Sequence, residues 1–328
     1  MVAIEVGHLT KEFNGFVAVD HISFSIKNGE VFGLLGPNGA GKTTTMSMLS
    51  TMLKPTSGKA FVNSFDILKK EDDVRKSIGI VFQDQSLDEE LTAYENMDFH
   101  GRLYRIPKST REKKITELLK LVELEDKKDN LVKTYSGGMR RRLEIARGLL
   151  HEPKILFLDE PTLGLDPQTR NHLWNYIDKL NKEKGITIIL TTHYMEEADK
   201  LCDRIAIIDK GKIIALDTSD RLKESIGGDV IEIRSSEKEK LHTMIKTFSW
   251  VKHVDVHNDS VTINLQNAEK HVAEIVNIAS ENGIYIESIS IHKPTLEDVF
   301  LHYTGRTMRE EEASSKDRMR MMQRSMRR

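Results

Sequence analysis

The stretch Gly36-Pro37-Asn38-Gly39-Ala40-Gly41-Lys42-Thr43-Thr44 constrains this chain more than any other. It fits G-x-x-x-x-G-K-[ST], the phosphate-binding P-loop. Such a loop works only between a buried strand and the start of a helix. Glu30 to Leu35 before it form a short apolar run that reads as a strand, and Thr45 to Leu53 after it are good helix formers. The glycines let the backbone curl so that successive N–H groups point inward at a phosphate. The helix N-terminus adds partial positive charge. In this arrangement Lys42 reaches the β- and γ-phosphates, and Thr43 offers its hydroxyl to Mg²⁺.

At 328 residues the chain is long enough for about two domains. A formal net charge of -2 argues against a dedicated nucleic-acid binder. The single cysteine, Cys202, rules out an internal disulfide, fits a reducing compartment and reads as a small buried residue. The N-terminus lacks the basic start and apolar block of a signal peptide. No apolar run approaches the ~20 residues that span a bilayer. A membrane process served by this chain therefore needs another chain for the channel.

Residues 2–9 and 17–26 read as strands, with Asn28-Gly29 as a hairpin-type turn to the next. Phe13 lies in the turn between the first two strands and is equally suited to stacking on a base or to packing in the core. Ile78 to Phe82 is a buried strand with Gln83 at its end. From Ser86 to about Leu131 the pattern is helical, with Ile115, Leu118, Leu119 and Val122 at helical spacing. Ser136-Gly137-Gly138 then caps a helix over Arg140 to Leu150, a second anion-binding device. Lys154 to Leu158 is an apolar strand ending in Asp159-Glu160. Ile186 to Leu190 is another, ending in Thr191-Thr192-His193.

Near-continuous apolar strands indicate a sheet buried on both faces. Ligands of such sheets bind beyond the carboxyl ends of the strands. Four strand ends deliver the P-loop, Gln83, Asp159-Glu160 and His193 there. Phosphoryl transfer to water needs a metal, charge neutralisation and an oriented water. Asp159 is then the Mg²⁺ residue, and Glu160 accepts the proton of the attacking water. Gln83 and His193 position that water and stabilise the γ-phosphate.

Taken together, these residues resemble the nucleotide-binding subunit of an ABC transporter over about residues 2–222. Gly36 to Thr44 resembles the family's Walker A and Ile155 to Asp159 its Walker B, with Glu160 at the catalytic glutamate. Gln83 matches the Q-loop glutamine, His193 the switch histidine and Leu165-Asp166 the D-loop. Phe13 falls where the family stacks the adenine. Tyr135 to Met139 resembles the signature Leu-Ser-Gly-Gly-Gln, with Tyr for Leu and Met for Gln. The loss of that glutamine removes a contact to the ribose. The resemblance implies ATP and Mg²⁺ as cofactors, with Thr43, Asp159 and Gln83 on the metal. It implies a head-to-tail dimer with a second ATP-binding subunit, a homodimer. Ser136, Gly137, Gly138 and Asp166 of one subunit then complete the ATP site of the other. It also implies a membrane permease as partner and a place on the cytoplasmic face of the membrane.

Gly227-Gly228 marks a boundary. Beyond it the order β-α-β-β-α-β predicts a small ferredoxin-like α+β domain. No metal cluster or catalytic constellation is evident there, and His242, His253, His257, His271 and His292 read as surface residues. Pro294 to Leu301 resembles the closing motif of exporter subunits of the daunorubicin-resistance type, as do Phe82 to Leu87 and Leu91 to Asn96. Leu296, Val299 and Phe300 form one apolar stripe, suited equally to internal packing and to docking. The charged, Met-rich end reads as a disordered tail, with a basic amphipathic helix as the alternative.

The expected fold is thus an α/β P-loop ABC ATPase domain, residues 1–225, with a mixed sheet core and a helical subdomain over about 86–150. An accessory α+β domain follows over 226–304, then a tail over 305–328. The expected function is an ATPase subunit that dimerises on ATP and drives export of drugs, antibiotics or lipid-like molecules. A soluble ABC ATPase of DNA repair or translation would carry coiled coils or two nucleotide domains. An import subunit would carry a regulatory β-barrel, and a sensor would lack Glu160 or His193.

Overall fold

The computed structural model describes residues 1–257 and 260–308. The predicted tail from 309 onward and the turn Asn258-Asp259 lie outside the described residues. The chain forms two compact units, Met1–Ile214 and Ala215 onward.

The first unit is built on two sheets. A four-stranded antiparallel sheet has the order β2-β1-β4-β5, from β1 (Val2–Phe13), β2 (Phe16–Lys27), β4 (Ser57–Val62) and β5 (Phe65–Asp66). The other sheet has the order β10-β9-β3-β8-β7-β6. Its strands are β3 (Val31–Leu35), β6 (Ile78–Val81), β7 (Ile155–Asp159), β8 (Thr187–Thr192), β9 (Arg204–Asp209) and β10 (Lys212–Asp217). Strands β6, β7, β8, β3 and β9 run parallel. Every residue of β3, β7 and β8 is buried. That burial matches their near-continuous apolar centres, with Thr and Asp159 toward the ends.

Asn28-Gly29 does not form a hairpin. Strands β2 and β3 lie in different sheets, so the turn crosses between them. Gly29 N–H instead donates to Thr187 Oγ1 at 2.9 Å, while Phe24 of β2 stacks on Phe32 of β3 at 5.2 Å. Phe13 is likewise not in a turn: it ends β1 and pairs with Phe16.

The helices of this unit are α1 (Lys42–Leu49), α2 (Glu71–Ser77), α3 (Ala93–Leu103), α4 (Lys108–Leu121), α5 (Gly137–Leu149), α6 (Pro167–Lys184) and α7 (Met195–Leu201). Helix α1 starts at Lys42, earlier than its apolar pattern suggests, and has ended by Thr51, whose φ is 65°. Thr92 and Glu95 form a capping box at the start of α3. Helices α3, α4 and α5 pack on one another. Arg111 of α4, 6% exposed, donates to Asp98 of α3 at 2.5 Å and to Ile106 O at 2.7 Å.

The second unit contains α8 (Ser219–Ser225), β11 (Asp229–Arg234), α9 (Lys238–Ile245), β12 (Val251–His257), β13 (Ser260–Leu265), α10 (Val272–Glu281), β14 (Ser288–His292) and α11 (Leu296–Thr304). Its antiparallel sheet has the order β12-β13-β11-β14. Numbered along the motif this is 2-3-1-4, the predicted ferredoxin-like arrangement. Ile231, Ile233, Leu241, Ile245, Ile263 and Ile275 are among its core residues. The apolar sequence Ile284–Ile291 reads as the last strand of this domain, but β14 starts only at Ser288. Leu296, Val299 and Phe300 are buried, which decides for internal packing of the stripe.

Candidate active site

The P-loop leaves β3 at Gly36, whose N–H donates to Thr192 O of the neighbouring β8 at 3.2 Å. A Cβ on Gly36 would lie 2.2 Å from Ile208 O, so only glycine passes this point. Gly41 precedes α1 with φ 105°, a left-handed value that again requires glycine. Lys42 is the first residue of α1 and only 5% exposed. Its ammonium donates to Gly36 O at 2.7 Å and Pro37 O at 3.1 Å. It also lies 3.1 Å from Glu160 Oε1. The angle there is not that of a hydrogen bond, so this contact is an ion pair without directional bonding.

Glu160 stands just beyond the carboxyl end of β7, 5% exposed, with a left-handed φ of 48°. Its N–H donates to Thr191 Oγ1 at 3.0 Å, which fixes this unusual backbone against β8. Oε2 meets His193 Nδ1 at 2.6 Å. Burial opposes the ionisation of Glu160. The His193 hydrogen bond and the Lys42 charge outweigh it and hold the carboxyl below the ordinary glutamate range.

Asp159, the last residue of β7, behaves in the opposite way. Burial pushes its carboxyl above the ordinary range, partly offset by hydrogen bonds from Thr191 and Thr43. Thr191 Oγ1 donates to Asp159 Oδ1 at 2.5 Å and Thr43 Oγ1 donates to the same oxygen at 3.2 Å. One hydroxyl from β8 and one from α1 therefore converge on one carboxylate.

Ser136 caps α5 by accepting from Met139 N–H at 3.3 Å. The helix starts at Gly137, so both glycines belong to its first turn rather than preceding it. Gly138 is a packing requirement: a Cβ there would lie 2.3 Å from Thr169 Cγ2. Tyr135, the departure from leucine, is 5% exposed and its hydroxyl donates to Lys127 O at 2.7 Å. Asp166 accepts from Thr169 N–H at 3.0 Å as the N-cap of α6, and the Thr169 side chain first, then this N–H, lower its pKa.

Lys42, Thr43, Asp159, Glu160 and His193 are thus joined in one network. Gln83 lies beyond the end of β6 and is exposed. Phe13 is 42% exposed, with Lys11 Nζ 4.9 Å from its ring centre. Ser136, Gly137, Gly138 and Asp166 lie on α5 and at the start of α6, outside that network.

Three residues escaped the sequence reading. Thr191 ties the backbone of Glu160 to the carboxylate of Asp159. Arg141 is 7% exposed and reaches four carbonyls: Phe82 O at 2.5 Å, Asp159 O at 2.8 Å, Pro161 O at 2.9 Å and Glu160 O at 3.3 Å. It also pairs with Glu144 at 2.9 Å. It therefore links the end of β6 and the acidic end of β7 to the helix that Ser136 caps. The Arg141–Glu144 spacing was the only available signal. Glu197 is fully buried and accepts from Trp174 Nε1 at 2.9 Å, behind the His193 segment.

Comparison with known proteins agrees with this geometry. The ABC transporter family profile matches residues 19–163, and that of the C-terminal domain of DrrA1-3-like ATP-binding proteins matches residues 218–304. The linearmycin resistance ATP-binding protein LnrL of Bacillus subtilis is 40% identical, over 94% of this chain and 100% of its own length. The chain belongs to the ABC transporter family, as an ATP-binding protein. Among other ABC relatives, the daunorubicin/doxorubicin resistance ATP-binding protein DrrA of Streptomyces peucetius is 40% identical, over 92% of each chain. The solved structure of cbiO1 from Clostridium perfringens, part of the ABC transporter complex cbiONQ, has a TM-score of 0.64 at 33% identity. It covers 69% of this chain and 93% of its own. A dimeric post-hydrolysis state of the ATP-binding cassette MJ0796, bound to ADP and Pi, has a TM-score of 0.59 at 29% identity. It covers 66% of this chain and 98% of its own. The protein is an ABC-type ATPase, of a family that binds ATP, generally with Mg²⁺. Among the described residues no helix is long and apolar enough to cross a membrane.

Proposed function

We propose that this ATPase works as a homodimer on the cytoplasmic face of the membrane and powers a separate permease in export. The observation that most supports hydrolysis is the buried Glu160, ionised between Lys42 and His193 at the end of β7. The relatives named for drug and antibiotic resistance support export of compounds of that kind. The dimeric neighbour bound to ADP and Pi supports a dimer.

Thr43 and Asp159 supply hard oxygen donors of the type Mg²⁺ takes, and their oxygens already lie 3.2 Å apart. Thr43 and Asp159 would hold Mg²⁺ here, and the ion would supply neutralisation of phosphate charge. Gln83 is assigned to the same metal and to the attacking water.

Each side chain has a role in the reaction. Lys42 exchanges the carbonyls of Gly36 and Pro37 for phosphate oxygens, and the N–H groups of Gly39, Ala40 and Gly41 hold the β-phosphate, that of Ala40 leaving Pro37 O to do so. Phe13 stacks on the adenine. His193 holds Oε2 of Glu160 and so aims the carboxylate. Glu160 takes the proton of the attacking water. Ser136, Gly137 and Gly138 contact the ATP held by the other subunit, with Asp166 at the same border.

Two measurements test this reading. Lys42→Ala and Ser136→Ala proteins should each lack ATPase activity, and mixing them should restore part of it through one intact composite site. Full activity of Ser136→Ala alone overturns the shared site. A tagged chain purified from detergent-solubilised membranes should bring an integral membrane protein with it. Recovery of the ATPase alone overturns the permease.

A further inference from the structure

The second unit holds a cluster that the ATPase chemistry does not use. His253 and Asp255 alternate on β12, so both project from one face of the sheet. Between and beyond them, Val254 and Val256 turn the other way, into the apolar core. His302 comes from the last turn of α11. One donor atom from each of the three residues lies within 4.8 Å of the others.

The contacts within the cluster are close. His253 Nε2 lies 2.8 Å from Asp255 Oδ2. The rings of His253 and His302 meet edge to face at 4.7 Å. His302 Nδ1 is buried and has no hydrogen-bond partner. A buried ring nitrogen without a partner calls for an explanation, and a role as a metal donor is one.

We propose that His253, Asp255 and His302 bind one divalent transition-metal ion of the zinc class. Two imidazoles and one carboxylate form a three-residue set that leaves a fourth tetrahedral position for water. Nitrogen donors favour zinc, nickel, copper or cobalt over Mg²⁺, which prefers oxygen. The Mg²⁺ that serves ATP would therefore not compete. Bonds of about 2.0–2.2 Å place donors roughly 3.4 Å apart, so the His253–Asp255 pair at 2.8 Å has to open a little while the more widely spaced donors, all within 4.8 Å, draw in. All three are half-buried, which leaves an ion a path in. The ion would fasten the edge strand β12 to the closing helix α11.

The test uses the full chain, stripped with chelator and free of nucleotide, titrated with Co²⁺ and then Zn²⁺. One Co²⁺ per chain should bind with the visible absorption of a four-coordinate ion, and Zn²⁺ should abolish that absorption. His253→Ala and His302→Ala should each weaken binding by at least about tenfold, while His242→Ala and His271→Ala should leave it unchanged. Circular dichroism checks that each variant folds, and Asp255→Asn replaces any that does not. An unchanged Co²⁺ spectrum in a folded ligand variant overturns the proposal. So does the absence of the visible band in the parent chain, which would leave His253–Asp255 as an ion pair only.

Discussion

Lys42 Nζ and Glu160 Oε1 lie 3.1 Å apart, with both side chains only 5% exposed. The proposed phosphate-binding cation and the proposed general base are therefore an ion pair across the site. A phosphate that draws Lys42 away removes one of the charges holding the Glu160 carboxyl low. On the proposed role of Glu160, losing that charge would make the carboxylate more basic and so couple nucleotide binding to proton transfer.

The Glu160→Gln protein should keep ATP binding and lose turnover by about 10²–10⁴-fold, because an amide cannot take the proton. Single-turnover kinetics would show this, and ATP-bound dimers should accumulate in gel filtration. Hydrolysis near the parent rate would remove Glu160 from its role.

A pH prediction follows from the same carboxyl. Its folded pKa is lowered from the ordinary glutamate value. The stabilisation is complete above the unfolded value and is lost as pH falls through the lower folded value. Asp159 has a raised folded pKa, so its contribution has the opposite sign: acidification through that raised value relieves a cost. Melting curves of the parent and Glu160→Gln report the first effect together with a change at Asp159, whose carboxyl the Glu160 charge helps to raise. The parent's advantage should be present at neutral pH and shrink below about pH 4. An advantage that grows on acidification contradicts the assigned direction.

Arg141 was the least legible part of the site, for a physical reason. Its partners are the carbonyls of Phe82, Asp159, Glu160 and Pro161, and backbone carbonyls leave no side-chain signature in a sequence. The P-loop, the paired acids and His193 were legible because parallel apolar strands must all end at one edge of the sheet. The separate sheets of β2 and β3 were not legible, since Asn28-Gly29 has the same sequence whether or not its flanking strands pair. The His253–Asp255–His302 cluster was hidden because two elements distant in sequence supply it. Replacing Arg141 by Ala should leave four carbonyls short of a donor and Glu144 buried without its partner. The expected cost is about 3–5 kcal/mol, measured by urea unfolding, with kcat falling alongside. A variant of parental stability and rate would show that the bridge does not support the acidic strand end.

The last prediction concerns Phe300. The stripe Leu296, Val299 and Phe300 suited either internal packing or an exposed docking face. The three side chains are 2%, 0% and 0% exposed, so the chain itself covers them. Thr295 and Asp298 fix the start of their helix with a reciprocal capping box, and α11 packs on α8. Truncating Phe300 to Ala should leave a cavity and cost about 3–5 kcal/mol. Unfolding of the full chain, followed by the fluorescence of Trp250 in the second unit, would report the loss. Phe300→Leu should recover much of the stability, because it restores most of the lost volume. A normal unfolding curve for Phe300→Ala, with assembly alone impaired, would instead make Phe300 a contact residue for a partner.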